Sequence, residues 1–347
     1  MRKITALIFS VIGIVIFIVF PQAVTQGISE GMKNSARLLI PSLFPFMVVS
    51  SFIIRSGAYE STEKFLSPLT KLLKLPTCAS FAVILSMIGG FPVGAKCIRL
   101  LYEKKCITPT QAERMSYFCV CSGPAFLMTA VGTLLLHSTI AGIILYLTQI
   151  LSVILLGIIT RFLCKDDLKF SSLSRTEQSP DLIQTFILSC SDGANAIIEL
   201  TALVAIFSMG ISVISSLHLD NPVISLFLEV TSACKSLTDT GFSLSWLAFA
   251  TGFGGLCVHF QIFSIFKDIN IHKLRFELFR LLNAIISCSL TSLICLFVHP
   301  SVQTFAISEN TKVEITSNSL IGSVSLVFMS SIFLLSLKNG SIKKHII

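Results

Sequence analysis

The run Gly89-Gly90-Phe91-Pro92-Val93-Gly94-Ala95-Lys96 constrains the fold more tightly than any other stretch of this chain. No side chain from Leu75 to Ala95 is charged, yet three glycines and a proline fall inside that apolar segment. A helix broken in hydrocarbon leaves amides and carbonyls unpaired, each at a cost of several kcal/mol. The break therefore has to lie against protein or a watery cavity. A second run, Cys121-Ser122-Gly123-Pro124, follows and has the same helix-breaking chemistry.

The surroundings of these runs belong to a membrane protein. Of 347 residues, 53% are hydrophobic and 13% charged, about half the charged fraction of a soluble domain. The net charge of +8 sits in short patches between apolar spans. No basic helix or aromatic-basic module marks a nucleic-acid partner, so the patches read as topology signals. The eleven cysteines lie mostly inside apolar spans, where a thiol acts as a small hydrophobe. Cys119 and Cys121 lack a second ligand pair, and neither a metal nor a cofactor is expected. No phosphate-binding loop, H-E-x-x-H pattern or recognisable triad appears, so the chain does not read as an enzyme.

In chain order, Arg2 and Lys3 precede the charge-free run Ile4 to Phe20, a retained first helix without a cleavage signal. A span from Leu38 to Ile54 carries Pro41 and Pro45, which kink it. Basic loops follow at 55–74 and, from Lys96 through Arg114, on the far side of the glycine run. Met115 to Thr160 has no Asp, Glu, Lys or Arg and is long enough for two spans of about 20 residues, turning at His137-Ser138-Thr139. Residues 161 to 181 are polar and read as a connection between two halves. In the second half come spans after Asp192-Gly193, a short apolar piece Pro222–Val230, and the span Gly241–Phe266. Leu281–Val298 and Leu320–Leu337 close the chain, with a third basic loop from Lys267 to Arg280. Because Lys and Arg collect in cytoplasmic loops, both termini are expected in the cytoplasm. Two consecutive basic loops flank 75–95, so that segment should enter and leave on one side, as a re-entrant hairpin tipped by the glycine run.

The halves echo each other. Glu30-Gly31 matches Asp192-Gly193 at an offset of 162, and Gly89-Gly90 matches Gly254-Gly255 at 165, the kind of internal repeat on which secondary transporters are built. The fold expected is an all-α polytopic membrane protein of about 8–10 segments, in two related halves with re-entrant or broken helices. Its parts are a first transmembrane helix (1–26), a first module (27–160), a cytoplasmic connection (161–187) and a second module (188–347).

Glu30-Gly31 through Ile40-Pro41 and Arg55-Ser56-Gly57-Ala58, taken with GGFPVGAK at 89–96, CSGPAF at 121–126 and GGLCVHFQ at 254–261, resembles the nucleoside-recognition (Gate) domain. That domain occurs in concentrative nucleoside transporters, ferrous-iron transporters and spore-maturation membrane proteins. The chain is most similar to sporulation integral membrane proteins built from two such modules. The resemblance implies movement of a small anion, dipicolinate, across the cell or forespore membrane, with a homo-oligomer or other sporulation membrane proteins as partners. It also leaves open a nucleoside transporter and a non-transporting assembly factor.

An anion site in a membrane needs donors that do not trap the solute, and half-helix N-termini supply them. The substrate-binding candidates are Gly89, Gly90, Pro92, Gly94 and Lys96 at the first turn, Ser122 and Gly123 at the second, and Gly254, Gly255, His259 and Gln261 in the second half. Lys96 reads either as an attractor of carboxylate or as the start of a basic loop. His259 is either a donor or proton relay, or a histidine bonded to a neighbouring helix. Glu199 and Glu229 are apolar-segment acids suited to a cation or proton. Glu229 equally reads as the end of a short span and is left outside the site.

Overall fold

Long apolar runs become long helices, and interrupted ones become pairs of short helices. The computed structural model describes residues 2–163, 181–219 and 221–298, all within one unit, Met1–Thr304. The expected span Leu320–Leu337 and the basic tail lie outside the described residues. The helices are α1 (Arg2–Val19), α2 (Pro21–Asn34), α3 (Ile40–Ser56), α4 (Glu63–Leu73), α5 (Ala79–Gly89), α6 (Phe91–Glu103) and α7 (Pro109–Phe118). They continue with α8 (Thr139–Leu163), α9 (Leu182–Ser216), α10 (Pro222–Leu228), α11 (Val230–Asp239), α12 (Leu244–Phe253), α13 (Gly255–Ile265) and α14 (Lys273–Cys295). A π-helical turn, Ser35–Leu39, joins α2 to α3, and a π-helical segment, Ala125–Leu135, follows the break after α7. Among the described residues the fold is all helical, and five helical runs are long and apolar enough to cross a membrane.

Two long helices, α2–α3 and α9, pack antiparallel. Gly27 and Gly31 bring α2 against α9 so closely that a Cβ on them would lie 2.5 Å from Met209 Cα and 2.7 Å from Ala205 Cα. Further along, Phe44 and Val48 meet Gly193, and Arg55 Nη2 pairs with Asp192 Oδ2 at 2.7 Å. Asp192 is thus an interior residue of a helix that begins at Leu182, and the expected connection at 161–187 is helical at both ends.

The hairpin expected around the glycine run is present. Helices α5 and α6 pack against each other and turn at Gly90, whose φ of 87° is open to glycine. Its returning limb runs on to Glu103, which corrects the basic loop drawn from Lys96. Lys96 and Arg99 are helical, and the loop proper is the short 104–108 turn before the Thr108 capping box of α7. A second hairpin, α10–α11, turns at Glu229. The sequence reading divided it into an apolar piece and a polar loop, because neither limb is long enough to show a period.

Gly94 shows how closely the first hairpin is packed. A Cβ there would stand 1.9 Å from Cys119 O and 2.7 Å from Ser86 Cβ, whereas one on Gly210 would meet nothing within 4 Å. Gly94→Ala is therefore expected to cost at least the ~1–3 kcal/mol of an overpacked core and to lower the thermal midpoint in detergent. Gly210→Ala should hold or slightly raise that midpoint.

Beyond the hairpin, outside the spans, buried Cys106 lies 3.4 Å from Tyr59 Oη, and its carbonyl accepts from Cys78 Sγ at 3.2 Å. Hydrogen bonding from Cys78 pulls the Cys106 thiol down from 9.0 to about 6, against the effect of burial and with help from Tyr59 and the Lys104 ammonium. A depressed acid stabilises the fold fully above its unfolded pKa and loses that contribution as pH falls through the folded one. The thermal midpoint should accordingly fall between pH 9 and pH 6, and Cys106→Ser should flatten that dependence.

Candidate functional site

Every interrupted helix has a carbonyl end and an amide end, and this structure treats the two differently. The C-terminal ends of α7 and α12 are covered by one side chain, Arg280, fully buried in the middle of α14. Its Nη1 donates to Val120 O at the break after α7, and its Nη2 to Gly252 O. Nε and Nη2 both reach Phe253 O, at 3.1 and 3.0 Å. Asn283, one turn on, donates to Gly252 O at 2.9 Å and accepts from Ser152 Oγ of α8 at 2.6 Å. The sequence reading placed Arg280 in a basic loop, where its charge looked like a topology signal. Arg114, also assigned to a loop, is buried in α7 and donates to Leu73 O and Lys74 O, both at 2.8 Å, at the end of α4.

The amide ends converge instead on a cavity of about 40 Å³. Its wall includes Gly90, Phe91 and Pro92 at the start of α6, and Ser122, Gly123 and Phe126 around the start of the π-helical segment. Glu229, Val230 and Thr231 at the start of α11 and Cys257, Val258 and Gln261 in α13 complete that side, with α3 and α9 closing the other. Each such end carries about half a positive charge. The breaks touch one another: a Cβ on Gly123 would lie 2.9 Å from Gly90 N, and one on Gly255 would lie 3.1 Å from Glu229 N. Phe91 packs on Gly254, and Ser122 Oγ donates to Thr251 O at 3.1 Å.

Of the residues singled out from sequence, Gly90, Pro92, Ser122, Gly123 and Gln261 are brought together at this cavity. Gly89, Gly94, Gly254 and Gly255 lie behind it, in the contacts that let the backbones approach. Lys96 is buried on the second turn of α6, away from the cavity wall. His259 is fully buried, with Nε2 donating to Phe253 O at 2.9 Å and Nδ1 standing 2.7 Å from Glu277 Oε2. The carbonyl fits the reading of a histidine bonded within the bundle, and the carboxylate fits that of a proton relay.

The sequence reading missed Glu229 as a site residue. Buried at the cavity, its carboxylate caps α11 by accepting from Thr231 N at 2.8 Å and Ser232 N at 2.7 Å. Thr231 Oγ1, beside it, is buried without a hydrogen-bond partner. Glu is not one of the residues that mark an N-cap in a sequence, so no local signal pointed to this role.

The chain is a distant homologue of the sporulation integral membrane protein YlbJ of Bacillus subtilis (strain 168). The two are 24% identical, over 76% of each chain. No protein family profile matches the chain, and no solved structure matches it.

Arg280→Met removes donors from three carbonyls, leaving Gly252 O with Asn283 and Phe253 O with His259. Hydrogen bonds to a charged group are worth about 1.5–3 kcal/mol each, so the variant is expected to lose at least one such bond's worth of stability and to run as aggregate in detergent chromatography. Arg275→Met, at the start of the same helix, should leave the elution profile unchanged.

Proposed function

We propose that the chain is a non-enzymatic membrane transporter that moves a small anionic metabolite during spore formation, with dipicolinate as the substrate its resemblance implies. The observation that carries this reading is the convergence of three helix starts, those of α6, the π-helical segment and α11, on one cavity while the carbonyl ends of α7 and α12 are capped elsewhere. Such a cavity holds positive potential without a fixed cation in its wall, which suits a solute that must be bound and then released. The relative's sporulation role supports the cellular setting.

The two-module architecture belongs to the same proposal, with a changed correspondence. Both halves run as long helix, hairpin, broken span and closing helix: α2–α3, α5–α6, α7 with the π-helical segment, and α8, then α9, α10–α11, α12–α13 and α14. The Gly90 turn then corresponds to the Glu229 turn, and the break at Gly123 to that at Gly254. Since α2–α3 and α9 run antiparallel, the modules are inverted, and the N-terminus lies on the side of the basic loops.

A cavity of about 40 Å³ holds roughly a single water, so an aromatic dicarboxylate enters only when the tips separate. That small volume also favours a second reading, an assembly factor that transports nothing.

Uptake of radiolabelled dipicolinate into proteoliposomes separates the two, with uridine as the nucleoside control. Saturable dipicolinate uptake without uridine uptake is expected. Glu229→Gln, which removes the negative charge at the cavity, should lower KM for the dianion roughly tenfold, equivalent to about 1.4 kcal/mol. Absence of uptake by monodisperse, inserted protein would leave the assembly-factor reading.

A further inference from the structure

A second and larger space lies beside the central one. Between α2 and the end of α9 runs a groove of about 640 Å³, within the range of small-molecule sites. Its wall is hydrophilic although it flanks apolar helices. Gln22, Gln26 and Glu30 recur every fourth residue on α2, and Ser208 and Ser212 face them from α9. Among the described residues Glu30 is the one charged residue of the wall, and its carboxylate accepts from Gln26 Nε2 at 3.2 Å. Ser208 Oγ is buried at this wall without a hydrogen-bond partner. Alongside, the backbone contact at Gly27 and Gly31 fixes the spacing of the two helices.

The groove ends at Ser232. Its neighbour Thr231 lines the central cavity, so the first turn of α11 is the wall between the two spaces. That turn is held by Glu229, whose two carboxylate oxygens accept from Thr231 N and Ser232 N. We infer that the α2–α9 groove is a hydrated outer vestibule admitting the small anion of the central cavity, and that the first turn of α11 is the gate between them. The inference rests on the transport reading for its solute. The neutral hydroxyls and amides of the wall supply donors for a carboxylate, and Gln26 engages the acid at Glu30.

The test is cysteine labelling of the full chain in native membrane vesicles, scored against the parent protein and needing no transport. The reagent is an anionic, membrane-impermeant methanethiosulfonate. Ser212→Cys, Ser216→Cys and Ser232→Cys should each react at least tenfold faster than Ile206→Cys, a position 57% exposed on the outer surface of α9. All three should react from the same side as His218→Cys in the turn after α9, and Thr231→Cys should react at least tenfold more slowly than Ser232→Cys. Ser216, at the exposed end of the helix, serves if the Ser212 variant does not fold. Labelling at the groove no faster than at Ile206, while His218→Cys reacts, overturns the vestibule. So does labelling by the cationic reagent alone. Equal rates at Thr231 and Ser232 overturn the gate. Intact labelling with no dipicolinate uptake would sink the transport reading and its solute, leaving the hydrated groove.

Discussion

The interior depends on the guanidinium of Arg280. Two helices stop in the middle of the bundle, and each leaves carbonyls that lipid cannot satisfy. Arg280 answers both at once, since its planar fork offers five donors where a lysine offers a point charge. It bonds Val120 O on one broken span and Gly252 O and Phe253 O on the other, so the two breaks are held at a common depth. Asn283 and His259 add to the same carbonyl cluster. With the carbonyls occupied by α14 and its neighbours, the amide ends are what remains to face the cavity.

This division explains why glycines concentrate where they do. Gly90, Gly254 and Gly255 adopt positive φ at the turns, but the larger constraint is distance. Backbones at Gly123 and Gly90, and at Gly255 and Glu229, approach until a methyl group would not fit. The tips can therefore meet, and the cavity between them is small because they do. A solute site built this way is closed by main chain, so opening it means moving a hairpin or a helix and not merely rotating a side chain.

The interruption was legible in the sequence because glycine and proline in an apolar run have few other physical explanations. The first hairpin was expected from charge, since Lys- and Arg-rich flanks on both sides of 75–95 favour entry and exit on one side. The second hairpin has no such marker. Its limbs are short, and Lys235 and Asp239 made the returning limb look like a loop. Arg280 and Arg114 were misplaced for a related reason. A cation near a span usually lies at the interface, and nothing in its immediate sequence distinguishes one whose partners are carbonyls far away in the chain. The glycine pairs at 89 and 254 matched in spelling but occupy different surroundings, a hairpin turn and a break within a span.

Glu229 resolves an electrostatic problem that the cavity would otherwise have. Three helix starts facing one small space repel one another, and a permanently bound anion would be the simplest remedy. The chain supplies its own carboxylate on the two amides of α11. The net field is then weaker than three helix ends would give, and on the proposed transport reading an incoming anion competes with a tethered one. On that reading, binding is thereby lessened and release eased, which is what distinguishes a carrier from a trap. Because the same carboxylate holds the first turn of α11 in place, occupancy of the cavity and the position of that turn are set by one group.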